Sequence, residues 1–72
     1  MNKLYIVTLE FESLKYDEEG ILTYKVNAEH QEEARAKIEK FIESEREFDK
    51  NYNYIIHSII ELESLTEIYT VL

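Results

Sequence analysis

The sequence predicts an α+β fold in which one amphipathic helix covers one face of a mostly antiparallel sheet of three or four strands. Hydrophobic residues alternate with a period of two before residue 28 and again after residue 51, which is typical of half-buried strands. Between these segments the spacing changes to that of a helix, so the predicted order is β-β-α-β, with a possible fourth strand at the C-terminus. The chain of 72 residues is expected to form one small acidic domain, 1–72.

The first strand is predicted over residues 3–12, KLYIVTLEFE. One of its faces is apolar throughout and the other is apolar only at its start, as expected for a strand that a helix covers on one side. A second strand, ILTYKVN (21–27), follows the polar segment YDEEG, and the two strands are expected to form an antiparallel hairpin. Gly20 is the only glycine, and we expect it to supply a positive φ in the connecting turn.

The helix is predicted in the segment AEHQEEARAKIEKFIESEREF, 28–48. Its apolar residues recur at helical spacing and form one stripe toward the sheet: Ala34, Ile38, Phe41, Ile42 and Phe48. Asn27 is the candidate N-cap, and the glutamates that follow it suit the positive end of the helix dipole.

The third strand is predicted from Tyr52 to Glu63 and contains a histidine between two pairs of isoleucines, IIHSII (55–60). Regular alternation places on the helix side Tyr52, Tyr54, Ile56, Ser58, Ile60 and Leu62. It places on the uncovered side Asn53, Ile55, His57, Ile59, Glu61 and Glu63, with Leu4 and Ile6 of the first strand nearby. The tail TEIYTVL (66–72) favours a fourth strand, although SLTE also matches a capping box that would begin a helical turn.

Candidate catalytic and metal-binding groups are few. His57 has isoleucines at both i±2 positions and no second ligand predicted to converge on it, so we interpret it as a strand residue. His30 and Glu33 have the spacing of a helical ligand pair, but such pairs arise by composition in a glutamate-rich helix. With one glycine and no cysteine, the chain lacks a phosphate-binding loop, a nucleophile elbow and a thiolate metal site. We therefore predict a protein that is not an enzyme and binds no cofactor or metal.

The formal net charge is −8, from 16 acidic and 8 basic side chains, and residues 51–72 carry three glutamates but no Lys or Arg. Direct binding to DNA or RNA is disfavoured, because affinity for phosphates comes from basic residues. An acidic surface instead attracts basic proteins, including those that bind nucleic acids. We recognise neither a signal peptide nor an apolar segment of membrane-spanning length, so the expected location is the cytoplasm.

These features predict a protein–protein interaction module. It would cover the basic, nucleic-acid-binding surface of a partner protein as an inhibitor or regulator, with its acidic charge as a nucleic-acid mimic. The abundance of Ile, Lys, Asn, Glu and Tyr is typical of AT-rich genes, such as those of phages, plasmids and low-GC bacteria. The candidate partner-binding residues are Glu61, Glu63, Glu67, Tyr69 and Tyr16.

The alternative is a structural protein without a charge-directed partner. Its uncovered sheet face would associate with a second copy, because an apolar patch rimmed by charges commonly marks an interface. The candidate residues of this homodimer interface are Leu4, Ile6, Ile55, His57 and Ile59.

Overall fold

The structure is a computed structural model, and it describes residues 2–62. It confirms the predicted fold class, with three antiparallel strands and one helix in the order β-β-α-β. The elements are β1 (Lys3–Ser13), β2 (Glu18–Ala28), α1 (Gln31–Phe48) and β3 (Asn53–Glu61). The expectation of a fourth strand or a helical turn in residues 66–72 lies outside the described residues.

The central strand of the sheet is β1. The strand order is β2-β1-β3, and both neighbours run antiparallel to β1. Tyr5, Val7 and Leu9 point toward α1 and are buried, the last two completely. From the helix, Ala34 and Ile38 complete this layer. The core is therefore the inner face of β1 packed against one stripe of α1.

The predicted N-cap of α1, Asn27, is wrong, and the residue that caps the helix is His30. The His30 side chain accepts a hydrogen bond from the backbone N–H of Glu33, with 3.2 Å between Nδ1 and N. The prediction failed because β2 continues past Asn27, whose backbone carbonyl instead accepts a hydrogen bond from Lys37 Nζ at 2.6 Å. The first turn of α1 is also tied to β3, since Gln31 Nε2 donates to the carbonyl of Ile59 at 3.3 Å.

The C-terminal end of α1 differs from the prediction at Phe48, which is 90% exposed. Phe48 keeps the helical direction of the buried stripe, since it comes seven residues after Phe41, but it is the last residue of α1 and its side chain is not covered there. Phe41 does belong to that stripe, and its ring lies 4.9 Å from the ring of Tyr24 in β2. Within residues 2–62 no helix combines the length and the apolar composition that a membrane span requires.

The turn between β1 and β2 places the positive φ at Asp17, where φ is 54°, and not at Gly20 as predicted. Aspartate is one of the few non-glycine residues that tolerate this conformation. Gly20 lies within β2, opposite Phe11 of β1. A Cβ atom at Gly20 would lie 2.8 Å from Cε1 of Phe11. The glycine is therefore required by the close approach of this ring.

A bulge interrupts β3 at His57. Thr8 and Leu9 are neighbours in β1, but their partners Ser58 and Ile56 are two positions apart, so His57 has no partner of its own. One extra residue in a strand shifts the alternation of everything that follows it. The predicted faces of β3 are therefore correct before His57 and reversed after it.

The bulge corrects the positions of four residues. Glu61, predicted on the uncovered face, is opposite Tyr5 and so lies on the helix side. Ile59, predicted on the uncovered face, is 8% exposed and belongs to the core. Ser58 and Ile60, predicted under the helix, lie on the uncovered face opposite Thr8 and Ile6. The predicted end of the strand is also wrong, because β3 ends at Glu61.

Ile59 and Ile60 follow the bulge, and their substitution tests whether Ile59 lies in the core and Ile60 on the uncovered face. We expect Ile59→Ala to lower the free energy of unfolding by about 2–4 kcal/mol, because it leaves a cavity in the core. Ile60→Ala should cost about 1 kcal/mol or less, because Ile60 is 38% exposed. Urea denaturation followed by circular dichroism measures both values, and the opposite ranking would contradict the bulge.

The contact between Gly20 and Phe11 gives a second prediction. Gly20→Ala should lower the free energy of unfolding by about 1–2 kcal/mol, because the Phe11 ring must move away from the new methyl group. In a Phe11→Leu background, Gly20→Ala should lower the free energy of unfolding much less, because the ring is absent. A double-mutant cycle from urea denaturation measures the coupling, and an equal cost in both backgrounds would show that the ring is not responsible.

Candidate functional site

The candidate site is the sheet face that α1 does not cover, which we call the open face. Its residues occupy positions of the three strands that do not point toward the helix. They are Leu4, Ile6, Thr8, Glu10 and Glu12 of β1; Glu19, Ile21, Thr23, Lys25 and Asn27 of β2; and Asn53, Ile55, His57, Ser58 and Ile60 of β3.

One row across the open face places a carboxylate between two exposed isoleucines. Glu10 of β1 lies opposite Ile21 of β2 and Ile55 of β3. These isoleucines are 58% and 55% exposed. A shallow depression beside them is lined by Glu10, Glu19, Gly20 and Ile21. The row therefore offers a negative charge flanked by apolar surface.

The charges of the open face are unevenly distributed. The next row toward the β1–β2 turn has Glu12 between Glu19 and Asn53. Toward the other end a neutral row of threonine and serine side chains is followed by a row that contains Lys25 beside Ile6. The half of the open face near the turn is therefore acidic, and the other half combines neutral polar and apolar side chains with one lysine.

His57 lies on the open face, as predicted. Its Nε2 atom is 3.4 Å from Oε2 of Glu10, and the two side chains are 48% and 47% exposed. This contact is a surface ion pair when His57 is protonated, and it orients the side chain of the bulge residue. Residues 2–62 contain no group of three or more His, Cys, Asp or Glu side chains placed to hold a metal ion. We interpret the pair as a contact that orients the His57 side chain on the open face.

The structure describes two of the predicted partner-binding residues, Glu61 and Tyr16, and these two lie far apart. Glu61 is opposite Tyr5 near the start of β1, and its carboxylate is 3.5 Å from Lys3 Nζ. Tyr16 lies beyond the other end of β1, a strand length of about 27 Å away. The other three predicted residues, Glu63, Glu67 and Tyr69, lie outside the described residues.

Tyr16 belongs to an aromatic cluster at the turn. Its ring stacks on that of Tyr52 with 5.5 Å between centroids, and the ring of Phe11 lies 6.2 Å from Tyr52. Lys15 Nζ is 5.5 Å from the centroid of Tyr16. One side of the Tyr16 ring packs on Tyr52, and the side chain is still 44% exposed to solvent. The three rings pack together at the end of the sheet that contains the β1–β2 turn.

The hydroxyl of Tyr52 donates a hydrogen bond to Oε2 of Glu18 at 2.7 Å. This bond requires the protonated phenol, and the neighbouring carboxylate disfavours a phenolate. Together with partial desolvation, the contact raises the pKa of Tyr52 to about 12. The same hydrogen bond attaches the start of β3 to the start of β2.

The sequence interpretation missed Glu10, Glu12 and Ile21 as site residues. Alternation in β1 already places Glu10 and Glu12 on the uncovered face, so the signal was present. The acidic residues predicted for the site were instead those of the C-terminal segment, Glu61, Glu63 and Glu67. The pairing register shows that Glu12 of β1 and Glu19 of β2, which the hairpin places opposite each other, form one acidic surface with Glu10.

The hydrogen bond of Tyr52 predicts a specific pH response. Because the pKa is raised in the folded state, its stabilising contribution is complete below about pH 10 and is lost as the pH rises toward about 12. In Glu18→Gln the Tyr52 phenol should titrate closer to pH 10. Carbon-13 NMR of ring-labelled tyrosine measures this titration, with Tyr52→Phe to assign the signal. A Tyr52 titration that Glu18→Gln leaves unchanged would contradict the contact.

Comparison with known proteins gave no match: no family model fits the chain, and no curated protein and no solved structure is significantly similar to it. No functional residue can therefore be transferred to this chain from another protein. Its function has to be argued from the geometry and charge of the open face.

Proposed function

We propose that this protein is a non-enzymatic binding protein that covers a basic surface of a partner protein with its open face. The row formed by Ile21, Glu10 and Ile55 carries this proposal, because it combines a carboxylate with exposed apolar side chains on both sides. An arginine of the partner fits such a row. Its guanidinium group pairs with a carboxylate through two hydrogen bonds, and its methylene groups pack on apolar surface.

The neighbouring acidic row supports a basic partner. Glu12 and Glu19 extend the negative charge from Glu10 toward the turn, while Lys25 is the one Lys or Arg among the open-face residues. Complementary charge speeds encounter and excludes partners of the wrong sign. Basic surfaces of this kind are common on proteins that bind nucleic acids. The proposed outcome of binding is inhibition or regulation of such a partner, as by a phage- or plasmid-type inhibitor.

The alternative, a homodimer formed face to face through the open face, has weaker support. Ile59 is removed from its candidate interface, because this side chain is in the core. In a symmetric interface each copy would also contribute Glu10, Glu12 and Glu19, against a single lysine each. The excess negative charge favours a basic partner over a second acidic face.

A pair of charge-reversal variants tests the proposal. Glu10→Lys with Glu12→Lys changes the charge of the open face, and Glu39→Lys with Glu43→Lys makes the same total change on the exposed side of α1 as a matched control. Tagged wild-type protein and both variants are used to capture proteins from host lysate at increasing salt. We expect a basic protein to be retained by wild type and the helix variant, and to be lost from the open-face variant and at high salt.

The captured protein is then purified and titrated with its nucleic acid in the presence of this protein. Competition for the same basic surface should weaken the nucleic-acid binding at least tenfold with wild type and leave it unchanged with the open-face variant. Equal capture by both variants, or undiminished nucleic-acid binding in the complex, would contradict the proposal.

A further inference from the structure

The two outer strands of the sheet differ in how their free edges are protected. The ladder between β1 and β2 is unbroken over the whole length of β2, which contains no proline. The other outer strand, β3, is interrupted by the bulge at His57. Bulges and prolines are devices that prevent an edge from pairing with another chain. Among the described elements, β2 thus has a long regular edge without either device.

The inner side of β2 is incompletely covered. Leu22, Tyr24 and Val26 point toward the helix but are only partly buried, whereas the residues opposite them in β1 are buried. The difference arises because β1 has a strand on each side and β2 has one. A further strand along the outer edge of β2 would cover the exposed flanks of these three side chains.

Two residues of β2 with opposite charges, Glu19 and Lys25, have no ion-pair partner within the described chain. Glu19 and Lys25 are both exposed and both lie on the open face. They are six positions apart in one strand, or about 20 Å, which is too far for them to contact each other. The three ion pairs among residues 2–62 involve other side chains.

We propose that β2 pairs antiparallel with β2 of a second copy, which forms a two-fold symmetric dimer with one continuous six-stranded sheet. The register places Glu19 of each copy directly opposite Lys25 of the other and Leu22 opposite itself on the two-fold axis. The axis is perpendicular to the sheet, so both helices lie on the same face. Tyr24 then lies opposite Gly20 and beside the Phe11 ring that packs over this glycine.

Charge complementarity selects this register from its neighbours. Registers that keep both helices on the same face differ by shifts of two residues. One such shift places Lys25 opposite Ile21, and the other places it opposite Asp17, which lies in the turn outside β2. Directly opposed charges of opposite sign stabilise an antiparallel pair, and the two-fold axis provides two such pairs.

This dimer does not depend on the proposed function. The row of Glu10 and Ile55 remains uncovered, since the second copy lies beside the sheet and not on its open face. Dimerisation would join two open faces into one surface, but the test of the dimer requires no partner protein.

Charge exchange tests the proposed register in solution. We expect sedimentation equilibrium of the wild-type protein to show a dimer. Lys25→Glu and Glu19→Lys, each alone, should raise the dissociation constant about tenfold or more, because each change replaces two attractive pairs with two repulsive ones. The double variant Glu19→Lys with Lys25→Glu should restore wild-type affinity, since it exchanges the charges and recreates both pairs. Circular dichroism checks that each variant is folded.

Disulfide formation tests the position of the axis independently. The chain contains no cysteine, so each introduced thiol is unique. Leu22→Cys should form a covalent dimer on mild oxidation, because opposed residues in an antiparallel pair lie about 4.5–5.5 Å apart between Cα atoms. Ile21→Cys and Thr23→Cys are the matched controls. Each would lie more than about 7 Å from its symmetry mate and should remain monomeric under denaturing conditions.

Three outcomes would overturn the inference. The first is a wild-type protein that stays monomeric up to millimolar concentration. The second is a dimer that neither single charge reversal weakens, which would place the contact elsewhere, for example on the open face. The third is a dimer weakened by the single reversals but not restored by the double variant, with cross-linking at residue 21 or 23 instead of 22.

Discussion

The whole structure depends on β1 being paired on both sides while its inner face is covered by α1. Tyr5, Val7 and Leu9 are buried because β2 and β3 lie on either side of β1 and α1 packs on its inner face. Among residues 2–62 no further layer packs on this sheet, so no described element covers its other face or the outer edges of β2 and β3. The same constraint that builds the core therefore creates the surfaces on which function is proposed.

The sequence predicts the fold class because two different periods are strong in it. The alternation in β1 and the helical stripe of Ala34 and Ile38 are each long enough to specify one buried face. The bulge at His57 could not be predicted in this way. In the run IIHSII both members of each isoleucine pair are equally apolar, so hydrophobicity cannot decide which one is buried. The pairing with β1 decides it, and this pairing is a long-range contact.

Local signals were also ambiguous where two residues could serve one purpose. A glycine near a turn suggests a positive φ, but here Asp17 takes that conformation and Gly20 is required by the ring of Phe11. Asn27 is a better N-cap than His30 by intrinsic preference, yet β2 extends through Asn27 and leaves the cap to His30. In the candidate site, Glu10 and Glu12 were predictable from alternation, whereas their proximity to Glu19 follows from the hairpin register.

The pairing of β1 with β3 also determines how the chain must fold. The β1–β2 hairpin and α1 involve neighbours in sequence and can form early, whereas Tyr5 meets Glu61 only by closing a loop that contains nearly all of the described chain. Until that loop closes, one edge of β1 has no strand beside it, with its N–H and C=O groups open to another chain. The strand that is most completely enclosed in the native protein is thus an exposed edge, open to aggregation, for as long as β3 has not paired with it.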